Sequence, residues 1–359
     1  MRDARIHNLE FYKGKRVLVT GHTGFKGAWL TAVLRYMQAN TLGYALLPEK
    51  NSLYERMNGN ELISNVTGDL LDISLLDKTI QEFRPEIIIH LAAFGFIKEC
   101  YCEPTKAYQT NVIGSMNLLE CVRKCDSVRS VIIVSTDKVY ENKGDGAIYS
   151  ENDSLGGLDP YSSSKSCMEL LVRCYASSYL QVENKKIGIA TVRASNVLAG
   201  GDHVQTRLIP SILQALDNGS KVELRNPIQT RPWQSVLDAL NGYLTIARYL
   251  YVNPLKYSGA WNIGPDKDGI KSVSWVFEKM RNAFEGLNVE QGEKLAVSES
   301  ETLGLDIHRA LTLLDWQPIF SCDRVVELVV EFYKRQKRGE SEYKICMSQI
   351  EEFFNTIKK

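Results

Sequence analysis

An α/β fold is predicted by this sequence: a doubly wound parallel sheet followed by a smaller α/β lobe. Three observations predict it. Val17 to Leu30 runs from an apolar, β-branched stretch through Gly21, Gly24 and Gly27 into a helical pattern, with Trp29, Leu30, Val33, Leu34 and Met37 on one face. From Lys15 to about Asn196 strand and helix patterns alternate, which is the succession that builds parallel sheets. Glu86–His90 is apolar without alternation, as a strand buried on both faces must be.

The elements follow in order. After the opening unit come the strands Thr41–Leu46 and Val66–Asp69, then a helix over Leu70–Phe83 with Leu71, Leu75, Leu76 and Ile80 apolar. The strand Glu86–His90, the helix Thr105–Lys124 and the strand Val131–Ser135 come next. Pro160 opens a helix to about Leu180, consistent with proline's place in a first helical turn. Ile187–Arg193 is another strand. Beyond Gly200 the pattern loosens into the helix Arg207–Asn218, the strand Val222–Leu224, the helix Val236–Val252, the strand Ala260–Ile263 and the helices Val273–Phe284 and Arg324–Lys337. The expected division is a sheet domain over 1–199 and a smaller lobe over 200–359, with the chain free to cross between them.

The bulk numbers exclude several partners. With 359 residues, 44% hydrophobic and 24% charged, the chain can bury a large core in one or two domains. Lys+Arg and Asp+Glu are each 43, so the formal net charge is zero. That argues against nucleic acid or an anionic membrane as partner. An anionic ligand must then be met by a local cluster of cations. No apolar run approaches a membrane span, and Met1–Lys15 lacks the apolar core of a signal peptide. The eight cysteines, scattered from Cys100 to Cys346, show no zinc-binding pattern. They read as reduced thiols of a cytoplasmic protein without a metal.

Two motifs carry the chemistry. Strand, glycine turn and helix make a cradle for a dinucleotide, which makes the sheet Rossmann-type: Gly21 for the tight turn, Gly24 for close approach of a pyrophosphate, Gly27 for helix–strand packing. The helix N-terminus offers N–H groups and partial positive charge. The second motif is Tyr161-Ser162-Ser163-Ser164-Lys165, whose Tyr and Lys share a helical face. An ammonium beside a phenol favours the phenolate, and such a phenolate can take a proton from a sugar hydroxyl. Thr136, Asp137 and Lys138 directly follow a buried strand, at the edge where ligands bind in such sheets.

On these motifs the chain resembles the extended short-chain dehydrogenase/reductase family of nucleotide-sugar-modifying enzymes, and within it the subgroup of CDP-glucose 4,6-dehydratases. The stretches that carry the likeness are Thr20–Leu30, Thr136–Asn142, Tyr149–Lys165 and Arg225–Gln234. The resemblance implies NAD as cofactor, held by Gly21, His22, Thr23, Gly24, Phe25, Lys26, Gly27, Asp69, Leu70, Leu91, Ala92, Ala93, Asn111, Tyr161 and Lys165. It implies Tyr161 as base toward the sugar O4, Thr136 as its hydrogen-bonding partner, Asp137 as acid for water loss and Lys138 as base or enolate stabiliser. Asn196, Arg207, Arg231 and Arg309 become candidates for the nucleotide-sugar diphosphate. A homodimer through the Thr105–Lys124 and Tyr161–Leu180 helices is also implied.

Several positions depart from the pattern. Tyr44-Ala45-Leu46-Leu47-Pro48 offers no ribose-binding acid at the end of the second strand, with Glu49 slightly late. Phe94-Gly95-Phe96 stands where these dehydratases have Gln-Pro-Leu, Lys143-Gly144-Asp145-Gly146 replaces a Trp-containing loop, and His203 and Ser235 replace Trp and His. Three readings stay open: a nucleotide-sugar 4,6-dehydratase acting on CDP-glucose or a close analogue, an epimerase or decarboxylase using the same C4 oxidation, and a non-catalytic dinucleotide-binding protein. His22 and Lys26 also raise the question of whether NADP is admitted.

Overall fold

A computed structural model describes residues 4–142, 146–182, 185–224, 226–291 and 304–356. Of the stretches singled out above, Lys143–Asp145 and Arg225 lie outside the described residues. Seven parallel strands form the central sheet, in the order Gly259–Ile263, Gly188–Ala194, Ser130–Val134, Ile87–His90, Arg16–Thr20, Asn40–Ala45 and Ser64–Thr67. The chain winds outward from Arg16–Thr20 to one edge, then returns and winds to the other. Thr20 therefore lies opposite Tyr44 on one side and His90 on the other, and the crevice of the doubly wound fold opens beyond it.

The absence of alternation in the strands has its cause in two covered faces. Val17, Val19, Ile87, Ile89 and Ile132 pack into one layer with Trp29, Leu30 and Val33 of the Phe25–Tyr36 helix and Leu240 and Leu244 of the Val236–Val252 helix. Leu18, Ile88, Val131 and Ile133 pack into the other with Leu76 and Ile80, Leu118 and Leu119, and Met168 and Val172. Those pairs belong to the helices Ile73–Phe83, Ser115–Lys124 and Pro160–Tyr175.

Local chemistry sets the ends. The expected helix from Leu70 begins only at Ile73, because the Asp72 carboxylate accepts the Leu75 N–H and caps it there. Asp159 caps the Pro160–Tyr175 helix by accepting from the Ser162 N–H. The expected single helix over Thr105–Lys124 is interrupted by a π-helical turn at Gln109–Gly114, centred near Asn111; such turns often mark functional positions. Beyond Gly200 the chain re-enters the large domain: Val236–Val252 covers the sheet and Gly259–Ile263 extends it. A smaller lobe is built on the three-stranded sheet Asn196–Leu198, Thr230–Ser235, Ile270–Ser272. Its core joins Leu198, Ile212, Val222, Phe277 and Val329 with Trp233, whose Nε1 donates to the Lys271 carbonyl. Trp233 is thus a packing residue. No helix among the described residues is long and apolar enough to cross a membrane.

Candidate active site

The glycine loop divides into positions the protein itself requires and one it does not. Gly21 has φ +72°, and a Cβ there would stand 2.6 Å from the Ala92 nitrogen. A Cβ on Gly27 would stand 2.2 Å from the Gly21 carbonyl oxygen. Both glycines close the strand–helix corner. At Gly24 a Cβ would meet only the Gly21 carbonyl oxygen, at 3.5 Å, so packing leaves room there. No side chain caps the Phe25–Tyr36 helix at Gly24, and its first N–H groups are left for a ligand. An open glycine before an uncapped helix fits a pyrophosphate.

Around this loop the cofactor candidates are ordered by a hydrogen-bonded chain. Ala92 N–H donates to Thr20 Oγ1, which lies 2.6 Å from His90 Nδ1; His90 Nε2 lies 3.1 Å from Ser115 Oγ, which donates to the Asn111 carbonyl. Burial lowers His90 to about 3, so it is neutral, with Nε2 carrying the proton toward Ser115. Asn111 in turn donates to Ser164 and to the Phe94 carbonyl and accepts from Phe94 N–H. Asp69 caps locally on Leu71 N–H and accepts from the Tyr44 hydroxyl through its carbonyl. Leu70 is buried against Gly114, and Leu91 and Ala92 are half-buried with Ala93 exposed beside them. At the end of the second strand Leu46 and Leu47 are exposed, and Glu49 pairs with His203 at 2.9 Å.

The second motif faces this loop. Thr136 Oγ1 donates to Asp137 Oδ1 at 3.1 Å and shares a hydrogen bond with the Tyr161 hydroxyl. Asp137 is 6% exposed, and burial raises its carboxyl above the usual carboxylate range, against the charges of Lys138, Arg231 and Lys26. Lys165 is 3% exposed and donates to the Val134 carbonyl at 2.7 Å; burial, with the Lys26 charge, lowers it to about 7. The expectation that Lys165 lowers the Tyr161 phenol is corrected here. In the chain by itself burial dominates and lifts Tyr161 to about 12, against the Thr136 hydrogen bond.

The local cationic cluster that a neutral chain needs is present: Lys26, Lys138, Lys165, Arg207 and Arg231 bear on Asp137 or Tyr161 or on one another. Arg207 lies over the Phe96 ring at 5.0 Å and pairs with Asp202 at 2.9 Å. Asn196 opens a short strand opposite Trp233. Arg309 is not brought to the cluster. It lies over the Trp261 ring at 4.2 Å and donates to the Ala260 carbonyl, three residues below the strand end. The His22 side chain is sealed against Gly43 and Tyr54 and lowered to about 4 by burial; its backbone, with Thr23 and Phe25, is what remains for a cofactor.

Sequence reasoning missed the scaffold of the Thr136–Lys138 turn. Glu169 pairs with Arg193 at 2.5 Å in the interior, and accepts from Ser135 Oγ and Thr191 Oγ1. Arg193 reaches the Tyr140 hydroxyl, which donates to Asn262. The turn is thus held from both ends, Ser135 and Tyr140. A signal was available: Tyr161, Lys165 and Glu169 are spaced by four and share one face. Tyr243, buried beside Lys26, gave none, because it sits in an apolar helix.

A parallel sheet with a glycine loop at its switch point, faced by a Tyr–Lys helix, defines the class: an enzyme that binds a dinucleotide over the sheet edge and works on a hydroxyl-bearing carbon beside it. The profile of the NAD dependent epimerase/dehydratase family matches residues 17–264, and the chain belongs to that family. It is 38% identical to CDP-glucose 4,6-dehydratase of Salmonella typhimurium, over 97% of this chain and 99% of that one. It is 24% identical to a dTDP-glucose 4,6-dehydratase of Xanthomonas campestris, over 88% and 92% of the two chains. Similar solved folds include an epimerase of Methanothermobacter thermautotrophicus, with TM-score 0.78, 22% identity and 93% and 96% coverage. A dTDP-glucose 4,6-dehydratase from Bacillus anthracis in complex with NAD has TM-score 0.75, 23% identity and 90% and 98% coverage.

Proposed function

We propose that this chain is an NAD-dependent nucleotide-sugar 4,6-dehydratase that converts CDP-glucose to its 4-keto-6-deoxy form. The observation that carries the reading is Asp137: a buried carboxyl whose burial favours the protonated form, directly beside the Thr136–Tyr161 pair. Epimerisation and decarboxylation need the Tyr161 base; water loss needs an acid besides. Near full-length likeness to a CDP-glucose 4,6-dehydratase supports the substrate.

NAD would be held by the Gly21–Gly27 loop, with Asp69 and Leu70 beside the adenine and Leu91–Ala93, Asn111, Tyr161 and Lys165 along the cleft. When bound it supplies a hydride acceptor that later returns the hydride. Thr136 orients the sugar O4 hydroxyl and Tyr161 takes its proton as C4 becomes a ketone. The ketone acidifies C5–H. Lys138 is the base for that proton, and the ammonium so formed holds the enolate. Asp137 then protonates the departing O6 hydroxyl and water leaves; Lys138 gives its proton back to C5 as C6 is reduced. Arg207, Arg231 and Asn196 hold the diphosphate. The stretches Thr105–Lys124 and Tyr161–Leu180 leave Tyr108, Ile113, Leu170 and Tyr179 exposed, and we assign these two stretches to a homodimer contact in the cytoplasm.

Incubation with CDP-glucose and NAD⁺ is expected to give a nucleotide sugar lighter by one water in the mass spectrum. A product of unchanged mass but altered sugar configuration would favour epimerisation, and no change across a nucleotide-sugar panel would sink the enzymatic readings. Gly24→Val is expected to keep the thermal midpoint within a few degrees, because its Cβ makes only an ordinary contact with the Gly21 carbonyl oxygen at 3.5 Å, while NAD⁺ affinity falls by roughly tenfold or more as the cradle is filled. Unchanged NAD⁺ affinity in that variant would move the pyrophosphate elsewhere.

A further inference from the structure

Phe96 and His203 are both departures from the dehydratase pattern, and both touch the loop 200–207. This loop is fastened first on the side of the second strand. Trp29 Nε1 donates to the Gly200 carbonyl at 3.1 Å, and Arg56 Nη2 donates to the Gly201 carbonyl at 3.0 Å. His203 Nε2 lies 2.9 Å from Glu49 Oε2, just beyond the strand Asn40–Ala45. Asp202 then turns the loop: its Oδ1 accepts from the Val204 N–H, and the Arg207 N–H donates to the Val204 carbonyl. At the far end the Arg207 guanidinium lies 5.0 Å from the centroid of the Phe96 ring, beyond the strand Ile87–His90. Arg16–Thr20 is the strand between these two, so the loop reaches from one side of the glycine corner to the other.

Two contacts fix the exposed Arg207 side chain. Its Nη1 donates to Asp202 Oδ2 at 2.9 Å, and the Phe96 ring lies within the distance at which an aromatic face attracts a cation. Among the described residues its Nε and Nη2 have no acceptor. An arginine left loose gives up side-chain freedom when it binds an anion, and a held one has already done so. We propose that Phe96 is a positioning residue for the substrate: with Asp202 it holds the Arg207 guanidinium at the crevice, with Nε and Nη2 free for the diphosphate of a nucleotide sugar. Leucine, which the dehydratase pattern has at this position, offers a cation no ring face. This role rests on the placing of the diphosphate at Arg207 in the proposed function.

The test is a calorimetric titration of the full chain, saturated with NAD⁺, with CDP, UDP and dTDP, followed by a mutant cycle on whichever binds most tightly. Phe96→Leu is expected to weaken that nucleotide by about three- to tenfold, while Phe96→Tyr, which keeps the ring face, stays within about twofold of the parent. In an Arg207→Ala background, itself weakened, Phe96→Leu is expected to change affinity by less than about twofold, because the ring acts through the arginine. Parent-like affinity in Phe96→Leu overturns the proposal. So does an equal loss in the Arg207→Ala background, which would put the ring on the nucleotide itself. In turnover of CDP-glucose, KM of Phe96→Leu should rise by the same factor with kcat held within about twofold, as for a contact made equally before and during reaction; a loss in kcat alone would overturn the assignment. If the parent binds CDP but fails to turn over CDP-glucose, the dehydratase reading falls and the mutant cycle still decides the role of Phe96. If the parent binds none of the three nucleotides, or Arg207→Ala binds as the parent does, the role of Phe96 falls whatever the turnover.

Discussion

Replacing Tyr161 with phenylalanine is expected to lower kcat by roughly 10²–10⁴-fold, the range for losing a positioned general base, while NAD⁺ affinity stays within a few-fold. The ring and its packing survive, and only the hydroxyl that shares a hydrogen bond with Thr136 is lost. The parent enzyme's pH dependence should carry the same signature. Burial holds the Tyr161 phenol at about 12 in the chain by itself, far too high for a base at neutral pH. A bound nicotinamide cation, with Arg207 already lowering the phenol, must bring it down. The reactive form is the phenolate, present above its pKa, so activity should fall as pH falls through that value. Near-normal turnover by Tyr161→Phe, measured at saturating NAD⁺ and sugar, would place the base elsewhere.

The parts of the fold and site legible in the sequence were those made by short-range rules. The period of apolar residues placed Val236–Val252, and the strand–glycine–helix corner is local, so Gly21, Gly24 and Gly27 could be given separate roles before any coordinates. The misplaced helix start at Leu70 has a local cause that was legible, the Asp72 cap. What was not legible depends on the packing of distant segments. Lys26 sits between two glycines, and nothing near it in sequence points to Tyr243. Arg309 shares its residue type with Arg207 and Arg231, and only the lie of the Gly259–Ile263 strand separates it from them. The Tyr161 phenol was expected low because Lys165 is four residues away. Lys165 donates instead to the Val134 carbonyl, and burial, which no local pattern measures, decides the sign. The loop Lys143–Asp145, one of the departures from the dehydratase pattern, lies outside the described residues.

Asp137→Asn is expected to separate the two halves of the reaction. Asparagine keeps the shape and can still accept from Thr136 Oγ1, which now donates to Asp137 at 3.1 Å, but it has no proton to give a leaving hydroxyl. In the proposed mechanism oxidation at C4 uses Tyr161 and Thr136, not this carboxyl, so the ketone should still form. Water loss should slow by roughly 10²–10⁴-fold. In deuterated water the stalled ketone exchanges its C5 proton and is then reduced back, so recovered CDP-glucose should carry deuterium at C5. The parent's pH profile adds a second check. Burial raises the Asp137 carboxyl despite Lys138, Arg231 and Lys26, so the acid form persists to higher pH than for a surface aspartate, and the water-loss step is lost as pH rises through that value. An Asp137→Asn enzyme releasing 4-keto-6-deoxy product at the parent rate would remove Asp137 as the acid. One releasing no product and no C5-deuterated sugar would place Asp137 in the oxidation step. Only the combination of exchange without elimination fits a buried acid beside an intact Thr136–Tyr161 pair.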